Sequence, residues 1–117
     1  MPSFIYDAFN DFGVTSAEGE FPNTINLGEA SIERMTVDLK LPSGPLASGT
    51  VILSIKGSDA ANGSYTTIVT GEELTSADIQ KGYGLPVPAS KYQYLKAEIE
   101  GKFGGKLQAI INTYIGK

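Results

Sequence analysis

Residues 91–115 read KYQYLKAEIEGKFGGKLQAIINTYI. Two runs of alternating apolar and polar residues flank the short Gly/Lys stretch GKFGGK (Gly101–Lys106). A period of two marks a half-buried β-strand, because successive side chains point to opposite faces of a sheet. In the first run Gln93, Leu95, Ala97 and Ile99 share one face, and Tyr92, Tyr94, Lys96, Glu98 and Glu100 share the other. In the second, Leu107, Ala109, Ile111, Thr113 and Ile115 alternate with Gln108, Ile110, Asn112 and Tyr114. Two such runs around a glycine-rich turn predict a β-hairpin. Its polar groups read as sheet surface, with no chemical centre among them.

The same reading extends towards the N-terminus. Residues 1–12 are aromatic and apolar but irregular, and are expected to form an arm or short turn ahead of the sheet. Residues 13–23 mix Gly, Ser, Glu, Pro and Asn and read as a loop. A short strand is expected at Thr24–Leu27. In Ile32–Lys40, Met35, Val37 and Leu39 oppose Arg34, Thr36, Asp38 and Lys40, giving one wet face. LPSGPLASG (Leu41–Gly49) is a loop. Thr50–Lys56 is the best central strand, GSDAANG (Gly57–Gly63) is a turn whose Asn62-Gly63 pair favours positive φ, and Ser64–Thr70 is the returning strand. TSADIQK (Thr75–Lys81) has a capping residue and an acid in its first turn, which predicts a single helical turn. Six or seven strands with frequent turn signals predict one all-β domain over residues 1–117, an antiparallel β-sandwich of jelly-roll-like form.

Composition narrows the function. Cys and His are both absent, which removes the commonest general base, the commonest metal ligand and any disulfide framework. The eight Lys and one Arg are scattered, and the formal net charge is −4, so no nucleic-acid partner is expected. No apolar run approaches the roughly 20 residues of a membrane span. MPSFIYDAF has no basic n-region or long apolar stretch, so no secretion signal is expected.

Each candidate for chemistry has a plainer explanation. Glu98 and Glu100 lie two apart on one strand face, roughly 7 Å from each other, within the span of glycosidase carboxylate pairs. Lys96 shares their face, and a solvated charged surface explains the group equally. Asp59–Gly63 (DAANG) has the start of a calcium loop, but Ala61 stands where a ligand is needed and Thr70 where the final Glu belongs. GKFGGK lacks the spacing and the Ser/Thr of a phosphate loop, and GYGLPV (Gly82–Val87) lacks a strand-turn-helix context. Asn62-Gly63-Ser64 matches a glycosylation acceptor without a secretion signal to support it. No catalytic residue, cofactor or metal is expected.

The aromatics carry more weight. Phe4, Ile5, Tyr6, Phe9 and Phe12 form a greasy N-terminal arm that should not lie free in water. It either packs on its own domain as a first strand or clasps a neighbouring surface. Tyr92 and Tyr94 form a second candidate interface, suited to a protein partner or to sugar stacking, although aromatics on the second face of a small β domain are more often partial core.

Several stretches together resemble a known family. The opening FIYDAFNDFGVTSAEGEFPNTINLG ends on the strand NTINLG (Asn23–Gly28). ILSIKGSD (Ile52–Asp59), ADIQKGYGLPVP (Ala77–Pro88) and KYQYLKAEIEG (Lys91–Gly101) follow in order. This series resembles the small cement (decoration) proteins of tailed-phage capsids, and departs from them in LPSGPLASG and GKFGGK. The resemblance implies a jelly-roll-like sandwich on the outer surface of the virion, made in the host cytoplasm. It implies the major capsid protein as partner, a homo-oligomer (dimer or trimer), and no enzymatic activity. From the residues alone, a carbohydrate-binding or adhesion module is the alternative.

Overall fold

The computed structural model describes residues 11–26, 35–88 and 92–113. In chain order its elements are β1 (Asp11–Thr15), β2 (Gly19–Glu20), β3 (Ile25–Asn26), β4 (Met35–Lys40), β5 (Ser48–Gly49), β6 (Ile52–Ser58), β7 (Thr66–Thr70), α1 (Ser76–Gln80), β8 (Tyr83–Val87), β9 (Tyr94–Glu100), β10 (Phe103–Gly104) and β11 (Leu107–Thr113). Two antiparallel sheets face each other. The first has the order β1-β11-β4-β8, and the second β2-β9-β6-β7, with β3 also pairing β9. A small ribbon joins β5 to β10.

The pairings nest. β1 pairs β11, β2 and β3 pair β9, β4 pairs β8, and β6 pairs β7. The chain is therefore one long hairpin with its tip at β6–β7, wound so that β11 also meets β4 and β9 also meets β6. This is a jelly roll: two packed antiparallel sheets made from Greek keys.

The core follows from the alternation. Met35, Val37 and Leu39 of β4, Leu53 and Ile55 of β6, Leu95, Ala97 and Ile99 of β9, and Leu107, Ala109 and Ile111 of β11 are buried in one cluster shared by both sheets. Each fully buried Leu or Ile contributes about 1.5–3 kcal/mol relative to exposure.

Four expectations need correction. First, β9 and β11 do not form a hairpin: they lie in opposite sheets, and Gly101–Lys106 bridges the sandwich as an arch. Gly101 and Gly105 take φ of +117° and +128°, and β10 pairs β5 midway across. Second, residues 13–23 are not one loop, since β1 runs to Thr15 and β2 follows at Gly19. Third, Asp11 and Phe12 belong to β1, not to an arm. A bulge between Asp11 and Gly13 adds one residue opposite β11, and Phe12 is buried with 0% exposure. Fourth, Gly63 is absent from the glycines with positive φ; its N–H instead closes a turn onto the Ala60 carbonyl at 3.0 Å.

The predicted helical turn is present as α1. Thr75 and Asp78 form a capping box: the Asp78 N–H donates to Thr75 Oγ1 (3.3 Å) and the Thr75 N–H donates to Asp78 Oδ2 (2.9 Å). The backbone and hydroxyl hydrogen bonds from Thr75 hold the Asp78 carboxyl below its ordinary pKa. A carboxylate with a depressed folded-state pKa adds stability above its unfolded value, and that stability is lost as pH falls through the folded value. On the alkaline side, burial raises the Tyr83 phenol, so its contribution holds below the ordinary tyrosine range and fades as pH climbs through it. Thr75→Ala should lower the melting midpoint by roughly 4 °C near neutral pH. It should also flatten the stability loss below about pH 4. Thermal melts from pH 2 to 8 would check both; an unchanged acid limb would refute the assignment to this box.

Candidate functional site

The outer face of the second sheet carries most of the charged residues singled out above. On β9, Lys96 stands opposite Lys56 of β6, and Glu98 opposite Glu20 of β2. Like charges directly across a ladder repel, and the pairing is resolved on the diagonals. Lys56 Nζ lies 3.0 Å from Glu98 Oε1, and Lys96 Nζ lies 3.4 Å from Glu20 Oε1. Lys96 also sits 4.6 Å from the centre of the Tyr65 ring. All four charges are partly solvated, so each pair adds less than about 1 kcal/mol. Glu98 is thus committed to Lys56, and Glu100 is exposed beside it. Neither carboxyl sits in the apolar pocket that an acid catalyst needs.

The tyrosine pair is divided. Tyr94 is half-buried at the start of β9, on the face of Lys96 and Glu98, opposite Ser58 and Asn26. Tyr92 precedes the strand and turns the other way. Gly57 stands opposite the buried Leu95, so a Cβ on Gly57 would point inward, and it would meet the Tyr92 ring at 2.6 Å and Ile68 at 2.8 Å. Tyr92 therefore packs over Gly57 at the end of the core. The two rings do not form one outward platform.

Phe12, read as an interface residue, is a core residue of the first sheet. Phe4, Ile5, Tyr6 and Phe9 lie outside the described residues. The register does define where their segment joins the sandwich. Asp11 is beside Ile110, midway along β11, whereas Thr113 at the end of β11 faces Met35, and Met35 faces Val87. In the second sheet Asn26 faces Tyr94, which faces Ser58. The described residues that border 27–34, 89–91 and 114–117 lie at one end of the jelly roll, and Asp11 stands three positions along β11 from it. The turn Asp59–Tyr65 lies at that end too. Sequence reasoning missed this convergence because it follows from nested pairing, which no local pattern encodes.

The sheet edges offer less. β1 is bulged at Phe12, β7 is bulged at Ile68, β2 and β3 have two residues each, and β8 contains Pro86. These devices discourage strand addition. Among the described residues Val14 on β1 is the exposed large apolar side chain, at 41%. A depression of about 330 Å³ at the opposite end is lined by Leu39, Leu41, Pro45 and Ile79, with Lys40 and Gln80 at its polar side.

Among the described residues no group of three or more acidic side chains could hold a metal ion. Among the same residues no helix is long and apolar enough to cross a membrane. No buried side-chain nitrogen or oxygen among them lacks a hydrogen-bond partner. The Tyr83 hydroxyl packs against Gly71, where a Cβ would lie 2.5 Å away, which gives it a structural place. Neither a family model nor a curated protein matches this chain. Its functional reading therefore rests on its own residues and its strand order.

Proposed function

We propose that the protein is a structural part of a phage head: a decoration protein that binds the outside of the capsid and ties neighbouring major capsid subunits together. One observation carries the reading. The aromatic segment holding Phe4, Ile5, Tyr6 and Phe9 runs in the sequence straight into β1, the edge strand of the first sheet, whose first residue Asp11 pairs with Ile110. That joins a strongly apolar sequence to a domain whose outer sheet faces are otherwise wet and whose edges are interrupted. Ten extended residues span roughly 33 Å, long enough to cross onto a neighbouring subunit.

Two further points support it. Jelly rolls recur among viral capsid domains, an argument by analogy of fold. The resemblance of four successive stretches to capsid cement proteins points the same way. A weak contact suffices for such a part, since a lattice repeats it in many copies. The same jelly roll also serves lectins. The inward turn of Tyr92 and the Lys96 contact on Tyr65 leave little aromatic surface for a sugar.

Deleting residues 1–10 tests the reading. Phe12 is retained because it is part of the core. The shortened protein should fold, with its melting midpoint within a few degrees of the full chain, and should no longer sediment with expanded capsids. Undiminished sedimentation would remove the arm from the interface. Glycan binding lost on Tyr94→Ala would favour the sugar-binding alternative.

A further inference from the structure

The turn between β6 and β7 contains a reactive dipeptide that no role above uses. Asn62 and Gly63 are both exposed. We propose that Asn62 is a site of spontaneous deamidation, with its rate governed by the hydrogen bonds of this turn. The Gly63 nitrogen attacks Cγ of Asn62, ammonia leaves, and a five-membered succinimide forms. Water then opens the ring at either carbonyl to give aspartate or isoaspartate. Water is the sole co-reactant, and no oxidant or enzyme is required.

The fold retains the vulnerable pair. Gly63 is needed for space, not for its φ: a Cβ there would meet Ser58 Oγ at 2.9 Å and Ala60 Cβ at 3.3 Å. A larger residue at 63, the usual brake on this cyclisation, is therefore disfavoured. Asn23 and Asn26 are also exposed, but Thr24 and Leu27 follow them, and branched side chains obstruct attack by the next nitrogen.

The same turn slows the reaction. The Gly63 N–H donates to the Ala60 carbonyl at 3.0 Å, so the attacking nitrogen is occupied while the turn is closed. The Ala60 N–H donates to Ser58 Oγ (3.2 Å), and the Tyr65 hydroxyl donates to the Ala61 carbonyl (2.9 Å). Reaction requires local opening, which exposed turns undergo at low free-energy cost. Conversion adds one negative charge to a protein of net charge −4, and isoaspartate adds a methylene to the main chain at the hairpin tip.

The test is incubation of the full chain at pH 8 and 37 °C, with peptide mass spectrometry and isoaspartate labelling over time. Conversion at Asn62 should exceed that at Asn23 and Asn26 by about tenfold or more, because glycine leaves its nitrogen unhindered. The chain in denaturant should convert several-fold faster than the folded protein. Ser58→Ala, confirmed as folded by circular dichroism, should close part of that gap, and Tyr65→Phe provides a second loosened turn. An Asn62 that stays intact in the folded protein while Asn23 or Asn26 converts would overturn the site. Equal rates in folded and denatured chains would overturn control by the turn.

Discussion

Phe12→Ala is expected to lower the stability of the folded protein by about 3–5 kcal/mol. The ring has 0% exposure and packs in the core shared by both sheets. Its removal leaves a cavity beside an edge strand whose backbone is fixed by the Asp11–Gly13 bulge and by the Gly13 N–H to Asp11 Oδ1 bond of 2.7 Å. A domain of this size has about 5–15 kcal/mol in total, so the variant should be marginal at 37 °C. Equilibrium unfolding in urea, at constant m-value, measures the loss. Phe9→Ala is the companion variant. Under the proposed role it should leave the unfolding midpoint unchanged and weaken capsid binding. A loss below about 1 kcal/mol for Phe12→Ala would mean that residue 12 is not a core residue.

Gly49→Ala is the second large effect, with an expected loss of at least about 2 kcal/mol. Gly49 has φ of +98°, where an L-residue is strained, and its Cβ would enter the space of the Lys102 carbonyl. Gly101, at φ +117°, is placed in the same way against the Thr50 carbonyl. These two close approaches hold the arch between β9 and β11 against the strand entering β6. Gly44→Ala isolates their contribution. Gly44 also has positive φ, +89°, but nothing lies within 4 Å of its would-be Cβ. It should therefore cost only the backbone term, about 1–2 kcal/mol. The two variants should differ clearly in urea midpoint. If they match, the close packing of the arch contributes nothing, and the separation of β9 from β11 needs another cause. Gly49→Ala and Gly101→Ala combined should be non-additive, since both act on one arch.

The burial pattern was legible in the sequence and the strand partners were not. Leu95, Ala97 and Ile99, and likewise Leu107, Ala109 and Ile111, are buried as the period of two requires, because each residue's face depends only on its neighbours along the strand. Periodicity gives no partner. β9 and β11 are adjacent, alternating and separated by glycines, which also describes a hairpin, and the backbone of Gly101 and Gly105 decides for the arch. The helical turn at Thr75 was legible because its capping box spans three residues. Phe12 was misread because a bulge shifts register without leaving a mark in the hydrophobic pattern. The partial burial of Tyr92 was legible, but not its separation from Tyr94, because β9 begins at Tyr94 and strand alternation does not extend to residue 92. Asp59–Gly63 was legible as a turn, but its glycine answers to the space held by Ser58 and Ala60.

Nested pairing has a consequence for synthesis. β11 lies between β1 and β4, so residues 107–113 supply the middle of the first sheet. While the ribosome is still making them, β1 has no hydrogen-bonding neighbour and β4 has only β8. The nascent chain can close β6 on β7 early, yet the sandwich cannot shut before β11 leaves the exit tunnel. Closure of the sandwich is thereby deferred until residues 107–113 have emerged, and a product stalled or terminated before them would expose an unfinished sheet to the proteases of the cell.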